Sequence, residues 1–176
     1  TKSLANTSAK FRFHGISAHA AASPERGRSA VDAVEAMDNM VNMMREHIPQ
    51  ETRIHYVITN GGKAHNIVPD FAEVYYYVRN PDRALVQSIF ERVVKASRGA
   101  AMGTETTTDY EIIGGTFDLL INNSLAVVMQ KNLERVGGVS YTAEEMEFGR
   151  KLQTSFDFKS PLLESASKIT PLKLIG

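Results

Sequence analysis

Apolar residues recur with period two, then 3.6, then two in two successive runs, then 3.6, then two. This order occupies roughly the first 118 residues of 176 and constrains the fold more than any other feature. In "SAKFRFHG", Phe11 and Phe13 fall on one side and Lys10, Arg12 and His14 on the other. That is the alternation of a half-buried strand, ended by Gly15. After the "SPERG" turn, Ala30, Val34, Met37, Val41, Met44 and Ile48 follow helical spacing, with Ala33 and Met40 widening the stripe. The expected helix runs from about Arg28 to His47 and stops at Pro49. "TRIHYVITNGG" and "FAEVYYYVRNPD" read as two strands, separated by "KAHNIVP", a segment too long for a tight two-residue turn. A second helix follows, with Leu85, Ile89 and Val93 flanked by Val86, Phe90 and Val94, and then a strand in "TTTDYEIIGG".

The predicted class is therefore α+β. The order β-α-β-β-α-β predicts a ferredoxin-like sandwich, a four-stranded antiparallel sheet with two helices on one face. Residues 1–120 form this domain. Residues 121–176 are expected to be a helical segment, with a helix in "NSLAVVMQKNLERVGG" and another in "TAEEMEFGRKLQTSF". Thr142 and Glu145 have the spacing of a capping box. Beyond Phe156 no period is evident. The Gly-Gly pairs at 61, 114 and 137 read as turn material.

Composition narrows the function. There is no cysteine, which removes disulfides, thiolate nucleophiles and Cys-ligated zinc. Twenty basic and twenty acidic side chains balance, so no electrostatic case exists for nucleic acid or an acidic membrane surface. No run approaches the ~20 apolar residues that span a bilayer. The default expectation is a soluble, cytoplasmic protein. The zinc-helix, nucleophile-elbow, P-loop and dinucleotide-binding motifs are all missing.

Two candidate sets remain. His14 and His19, five apart across a strand end, are not a standard metal-ligand pairing, and His14 sits on the polar side of its strand. His19 lies among small residues in "SAHAAAS", where an imidazole is free to project; an ordinary loop histidine and a functional one both suit that setting. Asn66 lies in the loop before Pro69, and Arg79 ends the third strand. An amide and a guanidinium suit a carboxylate, the arginine as a bidentate fork. A turn asparagine and a strand-end surface arginine are the plainer alternatives. The methionines of the first helix read as packing, and Glu144, Glu145 and Glu147 as a solvated face.

The stretch "FRFHGISAHAAASPERGRSAVDAV" carries Gly15, Ala18-His19-Ala20, Pro24, Gly27 and Ala30 in a pattern that resembles the lid, or dimerisation, domain of the two-metal aminoacylase and carboxypeptidase family. "NIVPDFAEVYYYVR" matches a second signature of that family, and together the likeness covers roughly residues 4–150. The family lid is a ferredoxin-like sandwich, in agreement with the element order. The resemblance implies a metal-dependent amidohydrolase that cleaves an N-acyl-glutamate amide of the p-aminobenzoyl type. It implies a homodimer formed through the lid, with a second hydrolase subunit as a further partner. It assigns His19 to oxyanion stabilisation in the partner copy's site, and Asn66 and Arg79 to the substrate's terminal carboxylate. His65 stands where the family pattern leads one to expect a small residue or proline.

The family's metal ligands and general base lie in a separate catalytic domain, and no matching His-x-Asp or Glu-Glu block occurs here. The expectation is a lid plus the start of a return into a catalytic domain outside this chain. That domain would hold two divalent ions, zinc or manganese. The chain alone is expected to hydrolyse nothing. The alternative expectation is a stand-alone small-molecule-binding or dimerisation module without catalysis.

Overall fold

In the computed structural model, residues 3–156 and 167–173 are described. Of the aperiodic end segment, residues 157–166 and 174–176 lie outside the described residues. The chain divides into two compact units, 1–119 and 120–176.

The first unit contains β1 (Ala5–His14), α1 (Ala30–Met44), β2 (Arg53–Asn60), β3 (Phe71–Asn80), α2 (Arg83–Gly103) and β4 (Thr107–Thr116). The strands form one antiparallel sheet in the order β2-β3-β1-β4. This is the predicted sandwich. The first strand begins at Ala5, earlier than the alternation alone suggests, because Ala5, Thr7 and Ala9 extend the buried side of Phe11 and Phe13. The helix starts two residues later than expected. Arg28 is taken up by a bridge to Ile16, and the Ser29 hydroxyl caps α1 by accepting from the Asp32 N–H at 3.1 Å.

Both helices pack on one face. Phe11, Phe13, Val74, Tyr76 and Val78 meet Val34, Met37 and Val41 of α1 and Val86 and Val93 of α2, all fully buried. The Phe11 ring meets Tyr76 edge-on at 5.8 Å. Asp38 is buried too, with its carboxylate accepting from the Tyr76 hydroxyl. Gly114 and Gly115, expected in a turn, continue β4 instead. They pair with Ser8 and Thr7, and the irregularity appears as a register shift at Ser8/Ala9.

The second unit holds α3 (Asn123–Val136) and α4 (Ala143–Gln153). Asn122 caps α3, and Thr142 with Glu145 forms the capping box that their spacing predicts. Neither helix buries a residue, and Leu125, Val128, Met129 and Leu133 lie exposed along α3. No helix among the described residues is long and apolar enough to cross a membrane.

Candidate functional site

The segment after β1 folds back on itself and on the segment before β3. Ile16 and Arg28 exchange two backbone hydrogen bonds, at 2.8 and 2.9 Å. This closes a loop that carries His19 and a short 3-10 turn over Pro24–Arg26. Two motif glycines make the closure possible. A Cβ on Gly15 would stand 2.0 Å from the Arg28 carbonyl oxygen, and one on Gly27 would stand 2.8 Å from a Val68 methyl carbon.

His19 pairs with Ile67 in an isolated antiparallel bridge. The Val68 N–H donates to the Ala18 carbonyl at 2.9 Å, and the Ala20 N–H donates to the Asn66 carbonyl at 3.0 Å. Two exposed loops are thereby held as one rigid edge, with His19 and Asn66 side by side. The imidazole Nδ1 accepts from the backbone N–H of Ala21 at 3.2 Å and of Ala22 at 3.1 Å. A nitrogen that accepts is unprotonated, so the neutral ring carries its proton on Nε2. His19 therefore presents an N–H donor to solvent from a fixed ring.

Arg79 is not brought to this edge. Phe71 opens β3 beside His14, and Asn80 closes it beside Ala5. Eight residue steps separate Phe71 from Arg79, about 26 Å along the strand. The Arg79 guanidinium stacks over the Tyr77 ring at 5.5 Å, and its buried Nε has no hydrogen-bond partner. One copy of this chain cannot close His19 and Arg79 on one small molecule.

The open face of the sheet reads in rows. Thr116, Asn6, Arg79 and Arg53 form one end row, and Asp109, Arg12 and Glu73 lie toward the other end. That far end neutralises itself. Glu73 takes Lys10 and Arg12 at 3.0 Å each and the Thr59 hydroxyl at 2.8 Å. Burial alone would raise the Glu73 carboxyl, but these three donors outweigh it and hold it below its ordinary range. His14 is exposed and places its Nε2 on Asp109 at 2.7 Å.

Among the described residues no group of three or more His, Asp or Glu could hold a metal ion. The described part of this chain does not fit the metal pair that the resemblance implies. His65 lines a groove of about 390 Å³ with Lys63, Ser29 and Asp32, and neither His19 nor Asn66 opens into it. Sequence reasoning missed Arg53. Its alternation with His55 and Val57 is visible, but its place opposite Arg79 comes only from the register.

Comparison with known proteins agrees with this geometry. A family model described as a peptidase dimerisation domain matches residues 5–104. One of the two subunits of the p-aminobenzoyl-glutamate hydrolase of Escherichia coli strain K12 is 42% identical over 156 residues, which is 88% of this chain and 32% of that protein. The human Xaa-Arg dipeptidase is 30% identical over 148 residues, 82% of this chain and 34% of that one. Among solved structures, an aminobenzoyl-glutamate utilization protein from Klebsiella pneumoniae superposes with a TM-score of 0.65 at 25% identity, covering 78% of this chain and 35% of that one. The chain thus spans about a third of the length of the relatives it matches.

Proposed function

The chain belongs to the peptidase dimerisation domain family, and on that footing we propose that it is the dimerising lid of a hydrolase that cleaves the amide of an N-acyl-glutamate, of the p-aminobenzoyl type. The observation that carries the proposal is the fixed Nε2–H of His19. As water adds to an amide carbonyl, negative charge gathers on oxygen. A donor that is already oriented stabilises that charge without reorganising. Asn66, on the same rigid edge, binds the substrate, and Arg79 takes a carboxylate in its planar fork. The water-activating metal pair and the general base belong to a part of the enzyme outside this chain. The uncovered apolar stripe of α3 supports a longer protein that packs against it.

The partner we propose is a second copy, joined along β2, with a companion hydrolase subunit as a further partner. β2 and β4 are the sheet edges. β2 exposes Tyr56, Val57 and Ile58, an apolar edge of the kind that proteins cover. An antiparallel two-fold pairing of β2 with its copy sets the partner's Asn60 end, and beyond it the partner's Asn66, next to this copy's Arg53 end. The two β3 strands are then three strand spacings apart, about 14 Å, against about 24 Å for pairing through β4. The β2 pairing therefore brings His19 and Asn66 of one copy close to Arg79 of the other.

The test is His19→Ala in the complete enzyme. The expected result is a fall in kcat of about a hundredfold to a thousandfold with little change in KM. Unchanged turnover would remove His19 from the mechanism. The isolated chain, supplied with zinc or manganese, is expected to release no glutamate.

A further inference from the structure

We infer that Arg53 and Arg79 together form a dicarboxylate-reading pair that selects glutamyl over uncharged leaving groups. This rests on the hydrolase function proposed above. The two arginines are direct cross-strand partners in the β2–β3 ladder and stand on the open face of the sheet. Cross-strand partners hold their Cβ atoms about 5 Å apart, and like charges in that position repel. Their row offers no acid in compensation, since Asn6 and Thr116 complete it. No ion pair among the described residues involves either arginine, although every other strand cation on this face, Lys10 and Arg12, is paired with a carboxylate.

The donors left over point the same way. The buried Arg79 Nε has no protein partner. Arg53 gives Nη1 to the carbonyls of Gln50 and Thr52, which fixes its position at the strand start and leaves Nε and Nη2 for a ligand. A guanidinium pair with two positive charges and free forks suits an anion with two carboxylates on a short chain. Glutamate is such an anion, with its carboxylates separated by three carbon atoms. Arg79 takes one and Arg53 the other, so Arg53 is the specificity determinant.

The experiment measures kcat/KM of the complete enzyme for p-aminobenzoyl-glutamate and p-aminobenzoyl-glutamine, in the native protein, Arg53→Gln and Arg53→Lys. The native enzyme is expected to prefer the glutamyl amide. Arg53→Gln should reduce that preference by about tenfold to a hundredfold, the worth of a hydrogen bond to a charged group, and Arg53→Lys should retain part of it. The Lys variant also guards against a folding defect, because it keeps the charge and the aliphatic stem. A native enzyme that cleaves both amides equally, or an Arg53→Gln enzyme with the native preference, would overturn the role of Arg53 and leave the hydrolase function standing. A native enzyme that cleaves neither would overturn both.

Discussion

His19 and Arg79 stand at opposite ends of one sheet: His19 bridges Ile67 just before β3 begins, and Arg79 is the next-to-last residue of that strand. If both act on one substrate, they come from different copies. Co-expression of His19→Ala with Arg79→Ala tests this in the complete enzyme. Each variant alone is expected to be nearly inactive. In the mixed dimer one of the two sites regains both native residues. With random pairing, half the dimers are mixed and half their sites intact, so about a quarter of native activity should return. No recovery would mean that each copy serves its own site.

Asp38 gives the fold a pH dependence of unusual sign. Burial raises its carboxyl above the ordinary 3.8, and the hydrogen bond from Tyr76 only partly offsets that. Tyr76 is itself pushed above the usual tyrosine range by burial and by Asp38, so its hydroxyl stays a donor. Between the unfolded and folded values of Asp38 the native state binds more protons than the unfolded chain, so this contribution to stability falls as pH rises through that window. Asp38→Asn keeps an acceptor for Tyr76 and cannot ionise. The difference in unfolding free energy between Asp38→Asn and the native chain should grow from about pH 4 upward and then level off. Denaturant titrations at a series of pH values read it directly.

Glu73 has the opposite sign. Its folded value lies below the ordinary 4.5, so its contribution is complete above that pH and disappears as pH falls through the depressed value. Glu73→Gln should cost about 1–3 kcal/mol at about pH 7, because Lys10, Arg12 and Thr59 lose their shared partner. The deficit should shrink in acid. A deficit that persists at about pH 2, below the folded value, would show that packing, not charge, sets the effect.

What the sequence disclosed follows from what is local. The switches between period two and 3.6, the caps at Ser29 and Thr142 and the Pro49 stop depend on near neighbours, so the βαββαβ order can be read directly. Register is a property of two distant segments, and single-chain periodicity does not contain it. That is why Gly114–Gly115 reads like a stop, why nothing in the sequence marks Asp38 as a buried partner of Tyr76, and why Arg53 passes unnoticed opposite Arg79. The family likeness points to His19, Asn66 and Arg79 as site residues. It does not disclose that β3 holds the first two apart from the third, nor that the backbone of Ala21 and Ala22 selects the His19 tautomer.

Gly27 tests whether the edge carrying His19 and Asn66 acts as a unit. Its φ of −84° is open to any residue, so an added methyl acts only through space. That methyl would meet the side chain of Val68 at 2.8–3.0 Å, and Val68 lies two residues from Asn66. Gly27→Ala should therefore destabilise the fold by about 1–3 kcal/mol, the usual range for overpacking. It should also lower kcat of the complete enzyme, because the loop that aims the His19 ring must give way. Val68→Ala removes the γ-carbons that cause the collision. In the double variant, Gly27→Ala with Val68→Ala, both stability and kcat should rise above those of Gly27→Ala alone. Melting temperature and steady-state kinetics on the three variants decide it. If the double variant loses what the two single changes lose together, Gly27 and Val68 are independent, and the rigid coupling of His19 to Asn66 is wrong.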